Sequence, residues 1–371
     1  MPTSPADSRD ERSPRRFRAR GLRQRIDKKV RRRLRHLVLR LLGEPDPIVI
    51  DDLGDVQRIL LIRTNFRIGN ALISTPVIEA FRRRFPQARI DFLAADSARA
   101  LFEHQPIDRC LTVSRRFIAR PWLLIGLFRD LRSQRYDLAV QITPGSFSGY
   151  LVTRACRARY TMGVGASDRR WYGISVDGGA EHAYDTPQRF ARALGVDCRD
   201  RPSYHVADEE RARALDVLER CGIDGAPFVA LFVGGHDDKR WPLASWRELC
   251  HGLDAAGIRF AVFVGPEEEA IRPRLEAIAR ECRHGVFVAP GPLRDFAAML
   301  ARARLLVGPD SGPTHLAAAL DVPTLTIALD RVSRRFLPRG PDDAALWSPD
   351  ADRVLATVRE RVREIDAEVS P

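Results

Sequence analysis

The chain has 371 residues, with 61 Lys and Arg against 49 Asp and Glu and a hydrophobic fraction of 44%. That length is enough for two domains with separate cores, and no apolar run reaches the roughly 20 residues that a bilayer-spanning helix needs. The net charge of +12 is concentrated at one end: residues 1–43 hold 15 basic and 4 acidic side chains, leaving a balanced 46 and 45 elsewhere, so the body's charge says little about its substrate.

Residues 1–16 are mostly Pro, Ser, Arg and Asp, a composition expected to be disordered. Leu22, Ile26, Val30, Leu34, Leu37, Val38, Leu41 and Leu42 then recur in steps of three and four among Arg and Lys, which predicts a basic amphipathic helix ended by Gly43 and Pro45. Such a helix suits an anionic membrane surface, where each basic residue near the lipid contributes about 1 kcal/mol. A nucleic-acid arm, an Arg-rich transit peptide and a helix docked on the protein's own body are the competing readings. The regular apolar stripe favours the membrane over nucleic acid. No h-region is present, so a secretory signal is not expected.

After a linker over residues 44–55, Arg58–Arg63 reads as a strand, 64–69 as a polar loop, Asn70–Phe85 as a helix and Arg89–Ala94 as the next strand. The series continues at Leu111–Val113, Leu123–Arg132, Leu138–Ile142 and Tyr160–Val164. The pattern resets at 202–210, where a helix over Asp208–Cys221 opens a second series. Its strands are expected at Phe228–Val233, Phe260–Val264, Val286–Ala289, Leu305–Val307 and Thr324–Ala328. Its helices are expected at Leu243–Ala256, Pro266–Cys282 and Leu293–Ala303, with a small-residue helix after Leu305–Val307. The expected fold is α/β: two Rossmann-like domains, 56–202 and 203–340, facing each other across a cleft, behind the 1–43 tail and ahead of a terminal helix over 351–368. Whether that helix packs back across the hinge is not decided by the sequence. The six cysteines, at 110, 156, 198, 221, 250 and 282, contain no Cys-x-x-Cys pair, which argues against a disulfide framework or zinc site and fits a reducing compartment.

Ligands of parallel α/β sheets bind outside the carboxyl ends of the strands, so the loops there carry the chemistry. The turn after Leu305–Val307 reads Asp310-Ser311-Gly312-Pro-Thr-His315. Asp310 and Ser311 are good N-caps, Gly312 permits close approach, and the unpartnered N–H groups of the following helix favour phosphate, with His315 in the same first turn. Alone, the turn reads equally well as a capped helix with a surface histidine. The loop after Phe228–Val233 supplies Gly234, Gly235 and Lys239, a cation able to neutralise a diphosphate. His236 has no second His or Cys at metal spacing and reads as a loop histidine. Gly265-Pro-Glu267-Glu268-Glu269 offers a carboxylate for ribose hydroxyls, or acids that complement a helix N-terminus. Gly69 is the only glycine where a dinucleotide fingerprint needs three, and no phosphate-binding Gly-Lys-Ser/Thr loop exists. The only Asp-x-Asp, Asp350–Asp352, precedes a terminal helix. These loops together describe a nucleotide diphosphate held without a metal or other cofactor.

The run Asp310-Ser-Gly-x-x-His315-Leu-Ala-Ala-Ala, with Lys239-Arg-Trp-Pro and Gly265–Glu269, resembles the motifs of glycosyltransferase family 9, the heptosyltransferases of bacterial lipopolysaccharide assembly. The likeness covers most of residues 58–330. It implies a GT-B fold and inverting, metal-independent transfer from a nucleotide-diphospho-sugar, with ADP-heptose the expected donor and a lipopolysaccharide-core or related glycolipid the acceptor. It assigns the diphosphate to Lys239, Asp310, Ser311, Gly312 and His315, and the ribose to Glu269. The family's first loop ends Gly-Asp, its proposed general base; here the pair is Gly69-Asn70. A carboxamide orients a hydroxyl but does not take its proton near neutral pH, help worth roughly 10²–10⁴-fold. Asp96 is the substitute by topology, and Arg63, Thr64 and Arg67 are placed to face anionic groups of the acceptor. Asn70 also motivates a non-catalytic nucleotide-sugar scaffold as the alternative, with a nucleotide-sugar epimerase behind it. The expected location is cytoplasmic, on the inner face of the membrane through residues 1–43, with no nucleic-acid partner.

Overall fold

The computed structural model describes residues 40, 41, 43–114, 116, 122–165, 170–179, 182–235 and 239–369. The proposed basic helix of segment 1–43 and His236 therefore lie outside the described residues, apart from positions 40, 41 and 43. Six strands, β1 (Arg58–Arg63), β2 (Arg89–Ala95), β3 (Arg109–Val113), β4 (Leu138–Gln141), β5 (Tyr160–Val164) and β6 (Ile174–Val176), form a first sheet in the order β3-β2-β1-β4-β5-β6. Its helices are α1 (Ile68–Ile73), α2 (Thr75–Arg84), α3 (Leu123–Ser133), α4 (Phe147–Ala155) and α5 (Asp185–Ala193). A second sheet, in the order β12-β11-β10-β7-β8-β9, holds β7 (Val229–Phe232), β8 (Phe260–Phe263), β9 (Gly285–Val288), β10 (Leu305–Pro309), β11 (Thr324–Ala328) and β12 (Asp343–Trp347). Around it lie α6 (Asp208–Arg220), α7 (Leu243–Ala255), α8 (Arg272–Arg280), α9 (Leu293–Leu300), α10 (Gly312–Ala319) and α11 (Ala351–Val369).

Every strand pair is parallel. Helices cover both faces, which is why the central strands are apolar runs rather than alternating ones. Ile59, Leu60, Leu61 and Ile62 of β1 are fully buried, as are Leu305, Leu306 and Val307 of β10. Strand order reverses between β1 and β4 in the first sheet, and between β7 and β10 in the second. Each reversal opens a crevice at the carboxyl ends of those strands.

Several elements depart from the sequence reading. The helix expected over 70–85 begins earlier and is broken at Ser74. There Ser74 Oγ donates to Ala71 O at 2.6 Å and Thr75 Oγ1 to Leu72 O at 2.9 Å. These side-chain bonds compete with the backbone ladder, and Pro76 has no N–H to extend it. The helix expected over 266–282 is a 3-10 turn, Pro266–Glu268, followed by α8. Strand β6 has only three residues, and β12 lies beyond residue 340 yet pairs in full with β11. Helix α11 sits on the second half: Val354, Val358 and Val362 share a core with Trp246, Leu249 and Leu253 of α7. Arg304 adds a bidentate pair to Asp366 at 2.7 and 2.9 Å.

The two halves share one apolar core, containing Leu72, Val77 and Phe81 from the first and Ala297, Leu300 and Leu316 from the second. A polar clamp crosses the same boundary. Arg294 donates to Ala100 O at 2.8 Å, to His205 O at 2.9 Å and to the Glu210 carboxylate at 2.7 Å. Both side chains are buried. The Arg294 bond is the main influence that holds the Glu210 carboxyl below its ordinary value.

Arg294→Met should therefore cost about 3 kcal/mol in urea denaturation, because it leaves Glu210 buried without its partner. The pH dependence has a definite sign. A lowered folded-state carboxyl contributes stability above its unfolded value, and that stability is lost as pH falls through the carboxylate range. This acid-side slope should shrink in the variant.

Candidate functional site

The second crevice is built by the loops after β7 and β10. Lys239 Nζ forms an ion pair with the Asp310 carboxylate, lies 3.4 Å from Asp310 O and reaches Asp330 Oδ2 at 4.0 Å. Asp310 is buried, while Lys239 keeps about a quarter of its side chain (26%) exposed. The lysine is thus a fixed cation at the start of α10. Ser311 occupies the N-cap position in extended geometry, as its sequence suggests, but makes no capping bond, and its buried Oγ has no partner. Thr314 Oγ1 instead donates to Pro309 O at 2.7 Å. No side-chain cap engages the first-turn N–H groups beside Gly312, and their partial positive charge adds to that of Lys239. Such a combination has the chemistry that suits a phosphate group.

The acidic loop divides its labour. Glu268 is buried and accepts from Gly265 N at 3.1 Å and Gly235 N at 3.2 Å, so it ties the loops after β7 and β8 together. A side chain at Gly234 would meet the Glu268 carboxyl carbon at 2.9 Å, which accounts for a glycine there. Glu269 is exposed and pairs with Arg272 at 3.4 Å, one turn into the next helix. Glu267 and Glu269 are thus the carboxylates of this loop open to solvent.

His315 departs most from the surface-histidine alternative. It is buried, its Nδ1 lies 3.1 Å from Tyr184 Oη, and its Nε2 is 3.7 Å from Asp310 Oδ1. Its ring packs on the backbone of Gly69 in the first half: a methyl group there would overlap Cδ2 and lie 3.1 Å from Nε2. Gly312 likewise comes close to Ile68. The carboxyl edges of the two sheets therefore meet where α1 abuts α10. Burial pushes the His315 imidazole down to about 4, against the pull of Asp310 and with help from Lys239 and His182, so the ring is neutral at neutral pH.

The first crevice is a cavity of about 270 Å³. Arg63 and Asn65 from the end of β1, Asn70 from α1, Thr143 from beyond β4, His182 from the crossing segment and Arg335 from the second half line it. Its described lining includes no carboxylate. Arg63 is buried, and burial alone lowers it to about 10. Its Nη1 donates to Thr143 Oγ1 at 3.4 Å, and its Nε has no partner. His182 is held below its ordinary value, first by burial and then by Arg339, and its Nδ1 accepts from Tyr184 N at 3.3 Å. The cavity is a concave set of donors that matches an anion.

Of the residues singled out in the sequence, Lys239, Asp310, Ser311, Gly312 and His315 come together at the second crevice. Arg63 and Asn70 share the first. Thr64 is half-buried and Arg67 exposed at the start of α1, and neither lines the cavity. Asp96 is exposed, with its Oδ1 accepting from Ser97 N at 2.8 Å, and it too lies outside the lining. Thr143, His182, Tyr184 and Arg335 were not singled out. Arg335 ends a 3-10 turn and the other three sit in irregular segments, and only Thr143, just past the end of β4, carried a positional signal.

Comparison with known proteins agrees with this geometry. A family profile described as "Glycosyltransferase family 9 (heptosyltransferase)" matches residues 124–357, more than half of the chain. The lipopolysaccharide heptosyltransferase 1 of Salmonella typhimurium is 28% identical over 293 residues, covering 73% of this chain and 88% of that protein. Among solved structures, a family 9 glycosyltransferase from Veillonella parvula superposes with a TM-score of 0.69 at 19% identity, covering 83% and 91% of the two chains. The E. coli heptosyltransferase WaaC with ADP gives 0.66 at 22% identity, covering 82% and 100%. The fold is GT-B.

Gly69→Ala should destabilise the protein by about 2 kcal/mol in thermal or urea unfolding, because the added methyl forces His315 off its seat. His315 should show no titration between pH 5 and 9 in an NMR experiment. Its folded value is depressed, so its share of stability is intact above about 6.5 and declines as pH falls toward 4.

Proposed function

The chain belongs to glycosyltransferase family 9, and on that premise we propose that it transfers a heptose from ADP-heptose to the core of a lipopolysaccharide or a related glycolipid. As a family member it is a glycosyltransferase. The observation that carries the finer reading is the second switch point, where Lys239 and the uncapped start of α10 gather positive charge on one side of the cleft. Transfer proceeds with inversion and without a metal. The acceptor hydroxyl oxygen forms the new bond to the anomeric carbon while the bond from that carbon to the phosphate oxygen breaks. The electron pair leaves on the diphosphate, whose growing charge is met by Lys239, Ser311 and the first N–H groups beyond Gly312. Glu269 takes the ribose hydroxyls, and His315 holds the turn in place from behind.

The acceptor occupies the cavity of the first switch point. Arg63 is a buried guanidinium without a carboxylate among the lining residues, which suits an acidic sugar or a phosphate on the acceptor. Asn70 orients the acceptor hydroxyl. Thr64 and Arg67 lie on the loop between Arg63 and Asn70, outside the cavity lining, and Asp96 at the adjoining strand end is assigned as the proton acceptor. The enzyme works at the cytoplasmic face of the membrane, held there by the basic segment 1–43. No helix of the described residues is long and apolar enough to cross a bilayer.

Transfer assays with a panel of nucleotide sugars and purified core acceptors test this reading. Lys239→Ala should lower kcat/KM about 10²-fold with acceptor KM unchanged. Arg63→Met should raise acceptor KM about tenfold and leave donor KM alone. Asn70→Asp should add an ionisation to the acid limb of the pH profile. Tight binding of a nucleotide sugar by the wild type with no transfer to any acceptor would overturn the enzymatic proposal.

A further inference from the structure

The first turn of α3 carries an unusual surface. Trp122, at the N-cap, is 60% exposed, and Ile125, one turn on, is 62% exposed, with Leu123 between them at 38%. Isolated exposed apolar residues are ordinary, but an aromatic and two aliphatic side chains on consecutive turns form a patch. The rest of α3 behaves conventionally: Leu127, Phe128 and Leu131 pack inward against the sheet. The outer face of the helix continues from the patch with Arg129 and Arg132, and Arg116 is exposed just ahead of it. Asp130, the acid of this helix, is paired with Arg109 at 2.6 Å. The outward face is thus apolar at one end and basic at the other.

The place of this turn in the fold gives it meaning. The chain leaves β3 at its carboxyl end, and α3 runs back to feed β4, so the N-terminus of α3 lies at the carboxyl edge of the first sheet. The same edge holds Arg63 and Thr143 in the cavity. A lipid-linked acceptor with its sugar in that cavity must leave its acyl chains in a bilayer close to this edge. Tryptophan at a lipid–water interface, flanked by arginines that meet anionic headgroups, is the side-chain chemistry such a contact requires.

We propose that the first turn of α3, through Trp122, Leu123 and Ile125 with Arg129, docks the first half of the protein on an anionic bilayer surface beside the acceptor cavity. The proposal rests on the reading of a lipid-linked acceptor, and it adds a contact independent of segment 1–43. The docked turn sets the height of the cavity above the membrane, and the basic tail adds attraction without fixing orientation.

Co-sedimentation of the full chain with vesicles of phosphatidylglycerol and phosphatidylethanolamine, and with pure phosphatidylcholine, tests it. Trp122→Ser combined with Ile125→Ser should lower the partition onto the anionic vesicles about tenfold. Arg129→Glu should weaken binding to the anionic vesicles and leave the weak binding to phosphatidylcholine unchanged. These positions are exposed, so the variants keep the fold, and transfer to a water-soluble acceptor fragment should match the wild type. If the wild type and the double variant bind the anionic vesicles equally, this surface is ruled out while the tail reading stands. If the full chain binds no vesicles, both fall. If the double variant instead converts a dimer to a monomer in sedimentation equilibrium, the face belongs to a second copy and the proposal is overturned.

Discussion

The arrangement of the cleft depends on the seat of one imidazole. His315 projects from the first turns of α10 in the second half and lies on the bare backbone of Gly69 in the first. No other residue type fits at 69, since even one methyl overlaps the ring. The contact brings the uncapped start of α10 alongside α1 and places Asn70 one residue from the point of closest approach. Tyr184 fixes the ring from the crossing segment through Nδ1, and Ala183 N donates to Arg335 O at 2.8 Å beside it. A charged imidazole in this dry position would need a partner that the geometry does not supply, since Asp310 is already committed to Lys239. Neutrality of His315 is thus a condition of the closed interface.

The two switch points handle charge in opposite ways. At the second, Lys239 lies between Asp310 and Asp330, so the cation is balanced by the protein and held in one place. An anion placed there would join an existing network and gain most from the helix start. At the first, Arg63 is buried without a carboxylate near it and is lowered by burial alone. Desolvation without a counter-ion is unfavourable, and an anionic ligand relieves it. The second switch point is preorganised, and the first carries an unmet electrostatic demand.

The parts legible in the sequence are those whose signal is local. Buried parallel strands such as Ile59–Ile62 and Leu305–Val307 announce themselves as apolar runs, and the turn from Asp310 to Gly312 carries its own grammar. Strand β12, Asp343–Trp347, is a short run without a β-branched residue, and it pairs along the edge that β11 offers. The break at Ser74 comes from two hydroxyls and a proline that periodicity passes over. His315 was recognisable as a site residue, but its role needed Tyr184, which is 131 positions away in the chain. Between Glu268 and Glu269, adjacent and chemically alike, only the fold decides which one caps the loops and which one faces solvent.

The carboxamide at Asn70 is best understood through Arg63. Both residues line the same cavity, where a carboxylate at position 70 would share a confined space with the guanidinium. Opposite charges there would pair and stabilise each other, and each would be less available to a ligand. With a carboxamide at 70, Arg63 stays unneutralised and the lining keeps a surplus of positive charge. An anion entering the cavity would therefore meet more positive charge than it would beside an acidic residue at 70. A carboxamide at 70 thus suits the cavity to holding an anion and offers no proton acceptor at that position.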